Sequence, residues 1–176
     1  MGKRRYVIIM AAGSGTRMGA PMPKQFLEIG GKAILQHTIE AFVEACPGIS
    51  VVTVLNSDYI GYWRDYCLRR NFTCPQIIVA GGFTRFHSVR NALDKVPDGA
   101  IVAVHDGVRP LVTSRLVRDM FEKAETVQSL VPVIPCTDTL KVLQKEGEEL
   151  KTVEGVVADR SMLYAAQTPQ IFHSEM

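Results

Sequence analysis

The residues best suited to chemistry crowd into one stretch, Ala11-Ala12-Gly13-Ser14-Gly15-Thr16-Arg17-Met18-Gly19, with Lys24 close behind. Glycines let the backbone turn sharply and aim successive N–H groups at one point, which makes a cradle for an anion. Arg17 adds a planar fork for two oxygens, and Lys24 a compact point charge. Such a set suits attack on an α-phosphate, where negative charge builds on the phosphoryl oxygens and on departing pyrophosphate. The Walker loop is excluded, because no Gly-Lys-Ser/Thr closes the stretch. The dinucleotide fingerprint of an oxidoreductase is disfavoured, because the third glycine comes one place late, at Gly19. A glycine-rich turn without a ligand is the plain alternative, but Arg17 and Lys24 have little reason to sit in a mere turn.

A second candidate is Asp106, directly after an apolar run that reads as a strand. One carboxylate together with triphosphate oxygens is a normal way to hold magnesium, which keeps several waters. An aspartate capping the following loop would look the same. His105 could be a base, but beside a strand end a structural role is the commoner one.

These residues need elements to position them. Tyr6 to Ala12 is a continuous apolar run and predicts a buried strand. The Gly- and Pro-rich stretch from Ala12 to Gly31 has no period and predicts a long functional loop. Helical spacing follows from Ile34 to Cys46, a second strand from Ile49 to Leu55, and a helix from Asp58 to Arg70 capped by Ser57 or Asp58. Further strands are expected at Pro75 to Ala80, Ala100 to Val104 and Ser129 to Ile134, the last interrupted or bounded by prolines. Ser88 to Val96 is expected to begin or continue a helix, and Thr113 to Thr126 to form another. This alternation predicts an α/β fold, Rossmann-like, with a mainly parallel sheet and helices on both faces. Ligands of such sheets bind outside the carboxyl ends of the strands, where the glycine stretch and Asp106 both fall. Between about 137 and 157 the pattern changes to two alternating stretches, Thr139 to Leu143 and Leu150 to Val153, flanking Glu146-Gly147-Glu148-Glu149. That predicts a hairpin arm with a charged tip. Periodicity alone leaves open whether it is a surface excursion or meets a second subunit.

Composition narrows the class. The 176 residues, 47% hydrophobic and 22% charged, are those of one globular domain. A net charge of +2, without a basic run, argues against nucleic acid as a partner. No apolar run is long enough to span a bilayer, so no membrane role is expected. The four cysteines match no zinc spacing and read as free thiols in a reducing cytosol, which predicts a cytoplasmic protein.

The glycine stretch through Gly19, followed by Pro23-Lys24-Gln25-Phe26-Leu27, resembles the nucleotidyltransferases that activate sugars and polyols. Within them the chain is similar to the 2-C-methyl-D-erythritol 4-phosphate cytidylyltransferases of the non-mevalonate isoprenoid pathway. Later motifs carry the resemblance along essentially the whole chain: Gly81-Gly82-x-x-Arg85-x-x-Ser88-Val89, His105-Asp106-x-x-Arg109-Pro110, Asp159-Arg160 and Ala166-Gln167-Thr168-Pro169-Gln170. Their common order is more specific than any one of them.

The resemblance implies Mg²⁺-dependent transfer of CMP from CTP to methylerythritol phosphate, with release of pyrophosphate. Arg17 and Lys24 would stabilise the pentacoordinate phosphorus, and Arg160 would orient the acceptor phosphate for attack. Ala11, Ala12, Gly13, Ser14 and Gly15 would bind the triphosphate of CTP, and Gly82 and Ser88 its cytosine. Arg109, Thr139, Arg160 and Thr168 would hold the sugar phosphate, and Asp106 the metal. No catalytic base is implied, since the attacking group is already a phosphate. The family builds its acceptor pocket across a homodimer, which makes the hairpin the expected dimer arm. A ribitol-5-phosphate cytidylyltransferase is the nearest alternative, and a non-catalytic CTP-binding protein the next. Three departures from the family stand out: Phe83-Thr84 in place of more polar residues, Gly107-Val108 in place of two alanines, and an end at Met176 where family members continue. The last leaves a fragment or a natural short form of the family, the fragment being favoured, without the C-terminal lysine that in the family helps position the sugar phosphate.

Overall fold

The structure, a computed structural model, describes residues 2–13 and 22–175. The chain divides into two compact units, Met1–Leu130 with Thr168–Met176, and Val131–Gln167.

The first unit begins with β1 (Arg5–Ala11), a 3-10 turn at Lys24–Phe26, β2 (Glu28–Ile29), β3 (Lys32–Ala33) and α1 (Ile34–Ala45). It continues through β4 (Ser50–Leu55), α2 (Ile60–Arg69), β5 (Gln76–Ala80), α3 (Arg85–Leu93), β6 (Ile101–Asp106), α4 (Ser114–Lys123) and β7 (Ser129–Leu130). The second unit holds β8 (Val133–Pro135), β9 (Leu143–Glu146), β10 (Glu149–Thr152) and β11 (Tyr164–Ala166); β12 (Gln170–His173) belongs again to the first.

The main sheet has the order β5-β4-β1-β6-β12-β7. β5, β4, β1 and β6 run parallel, and β12 pairs antiparallel with both β6 and β7. The central strands β1, β4 and β6 are mostly apolar and buried because helices cover both faces. Val7, Ile9 and Ala11 point into a core shared with Leu35, Phe42, Trp63 and Phe121, from α1, α2 and α4. Ile8 points the other way, with Val52, Val102 and Ala92 of α3. The mainly parallel α/β architecture expected from the alternation is therefore present.

Several expected boundaries differ. The run from Ser129 to Ile134 is two strands, β7 and β8, split at Val131-Pro132 and paired in different sheets. A proline has no N–H to give to a ladder. Of the two openings left for the helix at Ser88, the structure has Ser88 continuing it: α3 starts at Arg85, where the Thr84 side chain accepts from the His87 N–H and caps it. Ahead of α2, it is Asn56 that caps, accepting from Asp58 N–H and opening a 3-10 turn at Ser57–Tyr59. The hairpin is present, but its strands close on Gly147-Glu148, with Gly147 at φ 62°. Thr139 lies in the irregular segment before β9 rather than in a strand.

Buried polar contacts lock the frame around the loop. The Tyr66 hydroxyl accepts from the Ala33 N–H at 2.7 Å and donates to Gln36 Oε1 at 2.8 Å, tying α2 to the start of α1. Trp63 stacks on Tyr66 with ring centres 5.1 Å apart, and its Nε1–H donates to Gln76 Oε1 on β5.

Candidate active site

Register brings the chemistry together. In the parallel ladder Ala11 lies beside Leu55, Leu55 beside Ala80, and Met10 beside Asp106. The carboxyl ends of β5, β4, β1 and β6 therefore form one edge. From β1 the chain builds outward through β4 to β5 and then crosses to β6 on the other side. That reversal beside β1 is where open α/β sheets bind ligands.

A cleft of about 500 Å³ opens there, and it is lined by Ala11, Ala12 and Gly13 after β1, Lys24, Gly82 and Ser88, and Asp106. Seven of the expected site residues thus meet in one place. Ser14, Gly15 and Arg17 lie outside the described residues. A second cleft of similar volume, lined by Gln36, Glu40, Glu44 and Cys74, carries no cation among its described residues and does not suit a phosphate.

The start of the phosphate loop is held from behind by Gln25. Its amide, almost fully buried, donates to the Ala11 carbonyl at 2.8 Å and to the Gly13 carbonyl at 3.1 Å. Gln25 follows Lys24 in the same 3-10 turn, so these bonds also set where Lys24 stands. Sequence reasoning quoted Gln25 within a motif but gave it no role.

Glycines allow the neighbouring loops to approach. A Cβ on Gly81 would sit 2.5 Å from Ala12 Cβ, and one on Gly82 would sit 2.5 Å from His87 Cβ. At Gly82 the N–H is already taken by Ser88 Oγ at 3.0 Å, and Ser88 Oγ donates to the Thr84 carbonyl at 3.0 Å. Ser88 is buried, so its hydroxyl shapes the loop that lines the cleft.

Asp106 is the acidic centre. Its Oδ1 lies 2.9 Å from the Arg85 guanidinium, and its Oδ2 accepts from Arg109 Nε at 2.9 Å. Both arginines are about half exposed, against a quarter for the aspartate. Arg85 is a second residue that sequence reasoning quoted without assigning. The Asp106 N–H donates to Thr168 Oγ1 at 3.4 Å, which brings Thr168 to the same edge as Arg109. Thr139 and Arg160 belong to the second unit, where the Arg160 guanidinium donates to the Thr137 carbonyl at 3.3 Å.

His105 is fully buried. Its Nε2 contacts the Arg109 carbonyl at 3.1 Å and, facing an acceptor, carries the proton. Nδ1 finds no partner among the described residues, and the ring meets Phe42 edge to face at 4.9 Å. Burial pushes the imidazole below its ordinary pKa of 6.5, the Arg109 carbonyl and the Asp106 charge opposing. A neutral, enclosed ring that holds a backbone turn is structural, the reading favoured from its place at a strand end.

Among the described residues no group of three or more His, Cys, Asp or Glu side chains could cage a metal. Asp106 fits a magnesium ion that takes its other ligands from substrate phosphates and water, provided the arginines turn from the carboxylate toward the phosphates.

A mainly parallel α/β sheet whose switch point holds a cleft lined by Ala11–Gly13, Lys24 and Asp106, with arginines on the carboxylate, suits a nucleotidyltransferase-type domain. Comparison with known proteins agrees: the model of the 2-C-methyl-D-erythritol 4-phosphate cytidylyltransferase family matches residues 6–176. The chain belongs to that family and is a nucleotidyltransferase. It is 43% identical over 174 residues to the 2-C-methyl-D-erythritol 4-phosphate cytidylyltransferase of Azobacteroides pseudotrichonymphae, covering 99% of this chain and 75% of that one. It is also 43% identical over 175 residues to that of Porphyromonas gingivalis, with the same coverage. The crystal structure of 4-diphosphocytidyl-2C-methyl-D-erythritol synthase from Anaerococcus prevotii has the same fold, with a TM-score of 0.77 at 24% identity over 99% of this chain and 73% of that one.

Proposed function

We propose that this chain transfers CMP from CTP to 2-C-methyl-D-erythritol 4-phosphate, releasing pyrophosphate, in the synthesis of isoprenoid precursors. The observation that carries the reading is the meeting of Lys24, Asp106 and the backbone of Ala11 to Gly13 in one cleft at the sheet's carboxyl edge. A phosphate oxygen of the acceptor attacks the α-phosphorus of CTP, forming a P–O–P bond. The bond from the α-phosphorus to the bridging oxygen breaks, and pyrophosphate leaves with its electron pair. No proton has to be removed from the attacking group, in keeping with the enclosed, neutral His105.

The protein's part is to position groups and offset charge. Lys24 and Arg17 stabilise the negative charge at the reacting phosphorus. Ala11 to Gly15 cradle the triphosphate, and the Gly82–Ser88 loop receives the base. Arg109 and Thr168 are assigned to binding the acceptor, as are Thr139 and Arg160 of the second unit. Asp106 would hold Mg²⁺, which when bound would offset the triphosphate charge. Arg85 and Arg109 hold the Asp106 carboxylate. In the second unit Ile134, Leu140, Val157, Met162 and Tyr164 are exposed. That apolar surface supports the hairpin arm as the contact of a homodimer. No helix among the described residues is long and apolar enough to cross a membrane, and the free cysteines suit the cytoplasm.

Phosphorus NMR tests the reading: with Mg²⁺, CTP and methylerythritol phosphate, signals of pyrophosphate and of a new P–O–P diester should grow together. Lys24→Ala should slow that conversion roughly 10²–10³-fold with the unfolding midpoint unchanged, as for loss of one transition-state donor. Near-parental turnover in that variant would remove Lys24 from the chemistry.

A further inference from the structure

The loop between β5 and α3 carries one residue that the fold does not use. Phe83 is fully exposed, at 103% of its reference surface. Its neighbours account for themselves: Gly82 closes on His87, Thr84 caps α3, and Phe86 meets the His87 ring edge to face at 5.6 Å. Phe83 has no ring partner among the described residues. A phenylalanine just before a helix cap can act as a staple, packing on an apolar residue four places into the helix. Here that place is taken by Ser88, whose hydroxyl faces the Gly82 N–H and the Thr84 carbonyl. The staple is ruled out, and the ring's exposure has no local cause.

Its position has a consequence for the site. Phe83 lines the phosphate cleft together with Gly82, Thr84 and Arg85. It also lines an adjoining hollow of about 390 Å³, shared with Ala12 and Gly82 and closed by Asn56 and Ser57 after β4. The ring therefore stands on the rim that the two spaces share. The phosphate end of the cleft is fixed by Lys24 and the Ala11–Gly13 backbone. A nucleotide anchored there extends its base toward the Gly82 end. The polar means of reading that base are reduced, because the Gly82 N–H and the Ser88 hydroxyl already bond to each other. A flat apolar face remains on offer.

We propose that Phe83 is a base-binding residue, its ring stacking on the nucleobase of the bound nucleoside triphosphate. The inference rests on the assignment of this cleft to CTP and adds a source of affinity that comes from a side chain. Base–aromatic stacking contributes on the order of tenfold in affinity per base, and it tolerates different bases, since every base has a π-face. Discrimination between bases then falls to the backbone of the same loop.

Calorimetric titration of the full chain with CTP and with inorganic tripolyphosphate, each with Mg²⁺, tests it. Phe83→Leu should weaken CTP roughly tenfold and leave tripolyphosphate unchanged. Phe83→Trp should keep parental CTP affinity, and its added emission should be quenched by CTP but not by tripolyphosphate. Phe83→Leu binding CTP as tightly as the parent, or Phe83→Trp emission indifferent to CTP, would overturn the proposal and leave the CTP site standing. Failure of the parent chain to bind CTP at all would overturn both.

Discussion

His105 touches no solvent, yet it is tied to both Asp106 and Arg109. It precedes Asp106, and its Nε2–H holds the Arg109 carbonyl at 3.1 Å. With the Arg109 N–H donating to the Asp106 carbonyl, this closes the turn that aims both side chains. Replacing the imidazole by a group of similar bulk without a donor leaves that carbonyl short of a partner. His105→Leu should therefore cost about 1–3 kcal/mol in a urea titration. It should also raise the acceptor's KM more than it lowers kcat, because the Arg109 turn loosens while Lys24 stays in place. An unaltered KM would show that the turn holds without the imidazole. Lys24 and Asp106 could be picked out from type and spacing, because a cation after a glycine loop and a carboxylate after a strand are unusual locally. Gln25 and Arg85 could not be assigned. The Gln25 amide finds its carbonyl partner 14 residues away, at Ala11, and Arg85, at the start of α3, finds its carboxylate at the end of β6. A buried amide and an ion pair have no signature until the fold closes.

At the scale of elements, the loop after β1 is a structure with two held ends. Gln25 joins the Ala11 and Gly13 carbonyls to the 3-10 turn that carries Lys24. Gln25→Leu keeps much of the volume and removes the donors, leaving buried carbonyls unsatisfied. The expected loss is about 1–3 kcal/mol of stability. The turnover loss should exceed what the unfolded fraction explains, because Lys24 and the phosphate cradle lose their common support. Full activity per folded molecule would mean that Gln25 does not support Lys24. The four parallel strands were readable because each is a continuous apolar run between turn residues, with Tyr6 to Ala12 becoming Arg5–Ala11. β12 was missed. It is four residues long, only Ile171 is fully buried, and its place between β6 and β7 comes from long-range pairing. The sequence leaves the start of α3 open, because Thr84 with His87 three places on lacks the Glu or Gln that marks a capping box.

The whole molecule has a sheet-based unit, which carries Lys24 and Asp106, and a second unit, which carries Thr139 and Arg160. The exposed apolar residues of the second unit, with the charged hairpin tip, predict association between copies. Sedimentation velocity should give a dimer at micromolar concentration, and Leu140→Asp with Val157→Asp should shift it toward monomer. A parent chain that is monomeric at such concentrations would contradict the arm's assigned role. The central claim is cytidylyl transfer to a methylerythritol phosphate, and a competition between acceptors tests it most directly. With Mg²⁺ and CTP in excess, equal amounts of 2-C-methyl-D-erythritol 4-phosphate and ribitol 5-phosphate are supplied together and their products counted. Cytidylylated methylerythritol should form, matched mole for mole by pyrophosphate, while ribitol phosphate is left unused. Consumption of ribitol phosphate in its place, or CTP binding with no pyrophosphate from either acceptor, would contradict the account.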